Sequence, residues 1–150
     1  KLSIPAAKSP TGKDISVAAT DMLRGSGPIL NVEIMPGRLI REVYEKSNQQ
    51  YPRISVRALI DSGASGSVIT PKIAQQLKLK QTGYQTVASV NNQQAQPVFY
   101  GSIGFPWGKY FDTGLVACPL TGADCLIGRD ILRFWYLTYD GPSGTIVICD

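Results

Sequence analysis

The sequence contains no histidine among its 150 residues. Ser-His and Cys-His nucleophile systems need an imidazole base, so hydrolases of these kinds are excluded. The same absence removes most zinc sites. The three cysteines, Cys118, Cys125 and Cys149, allow at most one disulfide, and we expect reduced packing thiols instead. Two thiols without histidine make a poor metal site, so the sequence predicts no metal and no cofactor.

Long apolar runs and clusters of charge are also missing. No apolar stretch reaches the roughly 18 residues of a membrane-spanning helix, so no transmembrane segment is predicted. The net charge is +4 with a pI near 9.0, but the basic residues are dispersed along the chain. A nucleic-acid partner would favour a basic patch, and none is evident. The sequence therefore predicts no nucleic-acid partner.

Glycine and proline, in contrast, are plentiful: 15 glycines and 10 prolines are scattered through the chain. This pattern favours many short strands joined by turns. We expect an N-terminal extension over residues 1–27, with a short helix around 17–23 left open, and one mostly β domain over residues 28–150. Two short helices are predicted, at 71–79, where Thr70 precedes Pro71, and at 129–135.

The remaining segments are assigned from alternation and turn signals. Residues 38–51 are polar and are predicted to be a hairpin or a long loop. Strands are predicted at 29–34, 54–60, 67–69, 85–90, 97–105, 109–117, 124–127, 136–139 and 145–149.

The most informative feature is the triplet Asp61-Ser62-Gly63, which follows the apolar run at 58–60. A carboxylate at the end of a buried strand is costly, and such acids are over-represented at catalytic sites. Gly63 lets the backbone fold back so that its N–H reaches the carboxylate, and Ala64 leaves room for a peptide. The alternative is an aspartate with a structural role in a turn.

Two further motifs bear on this triplet. The run Leu-Ile-Gly-Arg-Asp-Ile-Leu at 126–132 is a second apolar strand broken by glycine, and we expect it to pack beside the first. A second triplet, Asp112-Thr113-Gly114, lies 51 residues after Asp61. That spacing is too short for a two-lobed enzyme with both acids in one chain, so we predict a structural role for Asp112.

The Asp-Ser-Gly-Ala box and the Ile-Gly-Arg-Asp-Ile-Leu box, in this order, resemble those of the retropepsins, the single-domain retroviral-type aspartic proteases. The resemblance covers residues 28–150, and the sequence Tyr-Asp-Gly-Pro at 139–142 is similar to bacterial members. It implies a closed barrel-like sheet and a symmetric homodimer. Each chain would supply one Asp61 to a dyad that shares a proton and activates water for hydrolysis of a peptide bond.

The resemblance also implies roles for individual residues. The hydroxyl of Ser62, with its symmetry mate, would tie the two catalytic loops together. The implied partners are a peptide or protein substrate and a second copy of the chain. The catalytic residues would be Asp61, Ser62 and Gly63, and the substrate-binding residues would be Ala64, Ser65, Ser89, Val90, Asn91 and Asn92.

The sequence departs from the retroviral pattern at Ser65, where these enzymes often carry a second aspartate that receives the arginine of the downstream box. Arg129 is therefore expected to have another partner, such as Asp130 or Asp124. The hairpin tip over 89–94 also lacks the paired glycines of the viral flap. These departures leave two alternatives open: a weakly active or inactive dimer that acts as a peptide-binding or regulatory module, and a monomer in which Asp61 is structural.

Overall fold

The computed structural model describes residues 19–89 and 92–149. Its strands are β1 (Ile29–Pro36), β2 (Ile54–Ile60), β3 (Val68–Ile69), β4 (Lys80–Ser89), β5 (Asn92–Gly104), β6 (Tyr110–Ala117), β7 (Cys125–Ile127), β8 (Tyr136–Asp140) and β9 (Thr145–Cys149). Its helices are α1 (Ala19–Ser26), α2 (Arg38–Lys46), α3 (Pro71–Gln76) and α4 (Arg129–Leu132).

Six strands close into a barrel in the order β1-β2-β7-β3-β6-β5, and β5 returns to pair with β1. β4 extends the sheet beyond β5, and β8 pairs with β9 in a separate hairpin. The predicted mostly β fold with a closed sheet and short helices is confirmed, although the described residues contain four helices rather than two. None of these helices is long and apolar enough to cross a membrane.

The barrel places the two sequence boxes side by side. β2 and β7 run parallel, with Leu59 opposite Leu126 and Ile60 opposite Ile127. Parallel strands end at the same edge of a sheet, so the turn after β2 and the turn after β7 meet there. Ile60 and Ile127 are both buried. The prediction that the two boxes pack together is confirmed.

The segment after β1 corrects one prediction. Residues 38–51 were expected to form a hairpin or long loop, but α2 occupies residues 38–46. Its polar surface carries the ion pair between Arg38 and Glu42, four residues apart, with Nε and Oε1 separated by 3.7 Å. Charge pairs at this spacing support a helix that buries little, and α2 contains no buried residue. A polar sequence at 38–46 is therefore compatible with an exposed helix as well as with a loop.

The hairpin predicted between residues 85 and 105 is present and longer than expected, because β4 begins at Lys80 and β5 begins at Asn92. Ser89 pairs with Asn92 at its tip. Val90 and Asn91, two of the predicted substrate-binding residues, lie outside the described residues, as do residues 1–18.

Aromatic side chains fill one end of the core. The rings of Trp135 and Phe105 lie 4.7 Å apart edge to face, and those of Trp107 and Trp135 lie 5.4 Å apart. Trp107 and Trp135 are partly buried and pack against the core. Tyr136 and Tyr139 on β8 are 80% and 55% exposed.

The thiols of Cys118, Cys125 and Cys149 are free. Burial raises the pKa of the Cys125 thiol, and the carboxylates of Asp130 and Asp124 raise it further. Burial also raises the pKa of Cys118. Cys125 packs in the core as a neutral thiol, whereas Cys149 is exposed.

Candidate active site

Asp61 is the first residue after β2, at the edge where β2 and β7 end together. Its backbone N–H donates to the carbonyl oxygen of Ile127 at 3.0 Å, which extends the pairing of the two strands by one step. The side chain is half-buried. The strand pair therefore fixes the backbone of Asp61 while leaving its carboxylate partly accessible.

The turn after Asp61 folds back on the carboxylate. The N–H of Gly63 donates to Asp61 Oδ1 at 2.9 Å, and the N–H of Ala64 donates to the Asp61 carbonyl oxygen at 3.2 Å. A Cβ atom at Gly63 would lie only 3.0 Å from Asp61 Oδ1. The glycine thus keeps room for the carboxylate that its own N–H orients, as the sequence predicts.

Arg129 secures the same turn from the other box. Its guanidinium Nη1 donates to the carbonyl oxygens of Ser62 and Gly63 at 2.8 and 2.9 Å, and its backbone N–H donates to the Ala64 carbonyl at 2.9 Å. The expected ion pair with Asp130 or Asp124 is wrong. The acceptors are three backbone carbonyls of the turn after Asp61, and a sequence does not show which backbone carbonyls accept.

Gly128 allows the two boxes to come into contact. A Cβ atom at this position would lie 2.5 Å from both the carbonyl carbon and the carbonyl oxygen of Gly66. Backbone atoms cannot turn away as a side chain can, so any larger residue would push the two turns apart. Gly128 is therefore a packing glycine.

A polar network behind this contact was not anticipated from the sequence. The N–H of Gly128 donates to Ser67 Oγ at 3.1 Å, and Ser67 Oγ donates to Asp130 Oδ1 at 2.8 Å. Thr113 Oγ1 donates to Asp130 Oδ2 at 2.9 Å. Its members come from three separate segments, and the only signal was the presence of Asp130 in the second box.

The second triplet occupies a different setting. Asp112 lies within β6, and its Oδ1 accepts the backbone N–H of Arg38 at 2.9 Å and the hydroxyl of Ser102. Arg38 is the first residue of α2, where backbone N–H groups lack partners within the helix. Asp112 therefore holds the start of α2 against the barrel, in keeping with the structural role predicted for it.

The first five predicted site residues, at positions 61–65, form one turn. The other predicted site residues belong to the tip of the β4–β5 hairpin, a separate segment of the chain. Ser62 and Ser65 are exposed, and Ala64 is half-buried. Ser89 and Asn92 form the last described pair of the β4–β5 hairpin. Contact of this tip with a substrate stays a prediction.

Comparison with known proteins places these observations in context. Residues 48–104, which contain the Asp61 turn and the β4–β5 hairpin, match the family described as aspartyl protease. No curated protein matches the sequence. The matched residues include the Asp-Ser-Gly-Ala box and agree with the predicted resemblance to aspartic proteases, whereas the second box, at 126–132, lies outside them.

Several solved structures are similar to this chain. EIAV protease complexed with the inhibitor HBY-793 is 21% identical, with a TM-score of 0.49, over 71% of this chain and 86% of that one. The Simian Foamy Virus (mac) protease is 15% identical, with a TM-score of 0.47, over 71% and 93% of the two chains. A retropepsin-like aspartic protease from Rickettsia conorii is 17% identical, with a TM-score of 0.45, over 81% and 90%.

Proposed function

We propose that this chain is an aspartic endopeptidase whose active site forms between two copies, each of which supplies Asp61. The observation that carries the proposal is the setting of this carboxylate. It is half-buried, oriented by the Gly63 N–H, and fixed at the end of two paired strands. The other Asp-x-Gly triplet has its carboxylate engaged with α2 and Ser102. In the part of the chain that the structure describes, Asp61 is thus the one acid in such a setting, and the reaction needs two.

The chemistry follows from the behaviour of two adjacent carboxylates. Such a pair shares one proton, because both members cannot be ionised at close range. The ionised carboxylate takes a proton from a water molecule, and the protonated carboxylate donates a hydrogen bond to the carbonyl oxygen of the scissile peptide. The water oxygen then adds to the carbonyl carbon while the protonated carboxylate gives its proton to the carbonyl oxygen, which forms a tetrahedral diol. The carboxyl group that took the water proton passes it to the leaving nitrogen, and the other carboxylate takes a proton from the diol as the C–N bond breaks. The dyad returns to its singly protonated state, and no covalent enzyme intermediate forms.

The β8–β9 hairpin supports association with a second copy. Its register places Leu137 opposite Ile148 and Tyr139 opposite Ile146, so these four side chains share one face. The two isoleucines are 8% and 1% exposed, whereas Leu137 and Tyr139 are 37% and 55% exposed. On the face of the hairpin that packs against the core, Leu137 and Tyr139 of β8 therefore remain partly exposed. A two-fold interface is self-complementary, so the same hairpin of a second copy is a suitable cover.

The substrate would be an extended peptide that lies across the two Asp61 turns. Ala64 and Ser65 would line the floor on each side, and the hairpin tip from Ser89 through Val90 and Asn91 to Asn92 would close over it. An extended peptide can add backbone hydrogen bonds to a strand, with side-chain pockets supplying specificity. Peptides or proteins are therefore the substrate class.

The test is to incubate the protein with a proteome-derived peptide mixture and to sequence the new termini. We expect cleavage by the wild type and a rate lower by on the order of 1000-fold for Asp61→Asn, with both proteins showing the same circular dichroism spectrum. Cleavage by Asp61→Asn at a rate close to that of the wild type would refute the proposal. Stoichiometric binding of a statine-type peptide inhibitor without cleavage of any peptide would instead favour the binding or regulatory module.

A further inference from the structure

Asp130 accepts hydrogen bonds from two hydroxyl groups that lie far from it in sequence. Ser67 Oγ is 2.8 Å from Oδ1, and Thr113 Oγ1 is 2.9 Å from Oδ2. Ser67 is fully buried, at 0% exposure, between the catalytic turn and β3. The carboxylate thus joins the segment after β7 to the loop before β3 and to the middle of β6.

The direction of each hydrogen bond follows from counting protons. A serine hydroxyl carries one proton, and Ser67 Oγ already accepts the N–H of Gly128 at 3.1 Å. Its proton is therefore free to go to Asp130. Thr113 also donates, so the residue between the two hydroxyls must accept twice. An ionised carboxylate is the side chain that accepts at both oxygens without donating.

This network fixes the segment that holds the Asp61 turn. Gly128 lies against Gly66, and Ile127 and Arg129 on either side of Gly128 make hydrogen bonds to the turn. The Ile127 carbonyl accepts the N–H of Asp61, and the Arg129 N–H donates to Ala64. A shift of the backbone at Gly128 would consequently be passed to Asp61 through bonds on both sides.

We propose that Asp130 is a positioning residue for Asp61, acting through Ser67 and Gly128; this inference rests on the proposed function. Asp130 is not placed to touch a reacting atom, because its two oxygens are engaged with Ser67 and Thr113. It sets where the catalytic carboxylate lies. A misplacement of about 1 Å can cost about 100-fold in rate, and such a loss falls on kcat when substrate binding is unchanged.

The experiment compares Asp130→Ala with Asp124→Ala. Asp124 is a matched control because it flanks the other end of β7, and its Oδ2 accepts from the Arg57 N–H at 3.4 Å rather than from the catalytic turn. We expect Asp130→Ala to lower kcat by about 10- to 100-fold with KM changed less than about threefold. Asp124→Ala should leave both within about threefold of wild type.

Asp130→Asn provides the conservative rescue. Its amide oxygen can still accept from Ser67, while its NH₂ can donate to the oxygen of Thr113 if that hydroxyl turns away. We expect it to recover at least about half of the lost rate on a logarithmic scale. Thr113→Val, which removes one of the two donors, should show an intermediate loss and serves if Asp130→Ala fails to fold.

Amide hydrogen exchange supplies a measurement that does not need activity. In Asp130→Ala, or in Thr113→Val if that variant replaces it, the amides of Gly63, Ala64 and Gly128 should exchange about tenfold faster, while those of β8 and β9 should not change. If the wild type cleaves no peptide, the proposed function fails, and the exchange pattern alone decides the positioning role. Unchanged exchange at these three amides would overturn the inference. So would a uniform increase along the whole chain, which would indicate a general loss of stability.

Discussion

The two Asp-x-Gly triplets of this chain share a motif but differ in their position relative to a strand and in the partners of their carboxylates. Asp61 follows the last residue of β2, and its turn folds back to give the carboxylate an N–H from Gly63. Asp112 lies inside β6, directly opposite Ser102 on β5. Its carboxylate receives the Ser102 hydroxyl and the first N–H of α2.

Position relative to the end of a strand accounts for the difference. Within a strand, successive side chains point to opposite faces. Asp112 and Thr113 are therefore directed to different partners, α2 on one side and Asp130 on the other. After a strand ends, the chain is free to turn, and the aspartate is held by its own loop. The Asp-x-Gly pattern thus forms a structural contact in one place and a candidate catalytic turn in the other.

The largest effect should come from making the same substitution in each triplet. Asp61→Asn is expected to lower kcat/KM by on the order of 1000-fold, because it removes an acid–base group, and to leave the melting temperature within a few degrees. Asp112→Asn should have the reverse profile, with activity within about threefold and stability lower by about 1 kcal/mol, since it weakens bonds to α2 and Ser102. Peptide cleavage and thermal unfolding of both variants check this. Equal loss of activity in the two variants would contradict the different roles assigned to Asp61 and Asp112.

The next effect concerns the box that pairs with the first triplet. Gly128→Ala places a methyl group against the backbone of Gly66 and should destabilise the fold by about 1–3 kcal/mol. Denaturant unfolding measures this loss. Gly122→Ala is not a suitable control, because Gly122 has a φ of +82°. Gly66→Ala is suitable, since its Cβ would meet nothing within 4 Å. A Gly128→Ala protein as stable as Gly66→Ala would contradict the close packing.

A smaller effect separates the glycines that end the two triplets. In Gly63→Ala the new methyl would lie 3.0 Å from Asp61 Oδ1, so the carboxylate itself must move. We expect kcat to fall about tenfold. In Gly114→Ala the methyl would meet the Cγ1 of Val98 at 2.9 Å, and a half-buried side chain can adjust. Its kcat should stay within about threefold. Steady-state kinetics on one peptide decides between these outcomes, and a larger loss in Gly114→Ala would be a contradiction.

The smallest effect concerns the stability contributed by Cys125 in β7. In the sheet, β7 and β3 lie between β2, which precedes the first triplet, and β6, which contains the second. The pKa of Cys125 is raised above its ordinary value of 9.0 by burial and by Asp130 and Asp124. Above that pH the unfolded chain loses the thiol proton and the folded chain keeps it, so stability falls as pH rises. The loss should reach about 1.4 kcal/mol at pH 10.

Denaturant unfolding at pH 8 and pH 10 measures this loss. Cys125→Ser should lack that part of the pH dependence, and Cys149→Ser, at an exposed thiol, should retain it. The same pH dependence in all three proteins would argue against a neutral Cys125 in the core.

Much of this arrangement could be predicted from the sequence because it depends on local patterns. The apolar runs before Asp61 and Gly128 predicted two paired strands, and the small residues after Asp61 predicted its turn. The contacts that were not predicted either join side chains distant in sequence or involve backbone groups. Asp130 is 63 residues from Ser67 and 17 from Thr113. Arg129 binds backbone carbonyls, which every residue carries. α2 was missed because its polar surface resembles that of a loop.

The central claim is that each copy contributes one Asp61 to a shared site. Wild-type protein and Asp61→Asn are mixed in equal amounts, left to exchange subunits, and assayed at constant total concentration. If two Asp61 carboxylates are needed, random pairing leaves about one quarter of the dimers active, and activity falls to about 25% of that of pure wild type. If each chain acts alone, activity falls only to about 50%, and the shared site is contradicted.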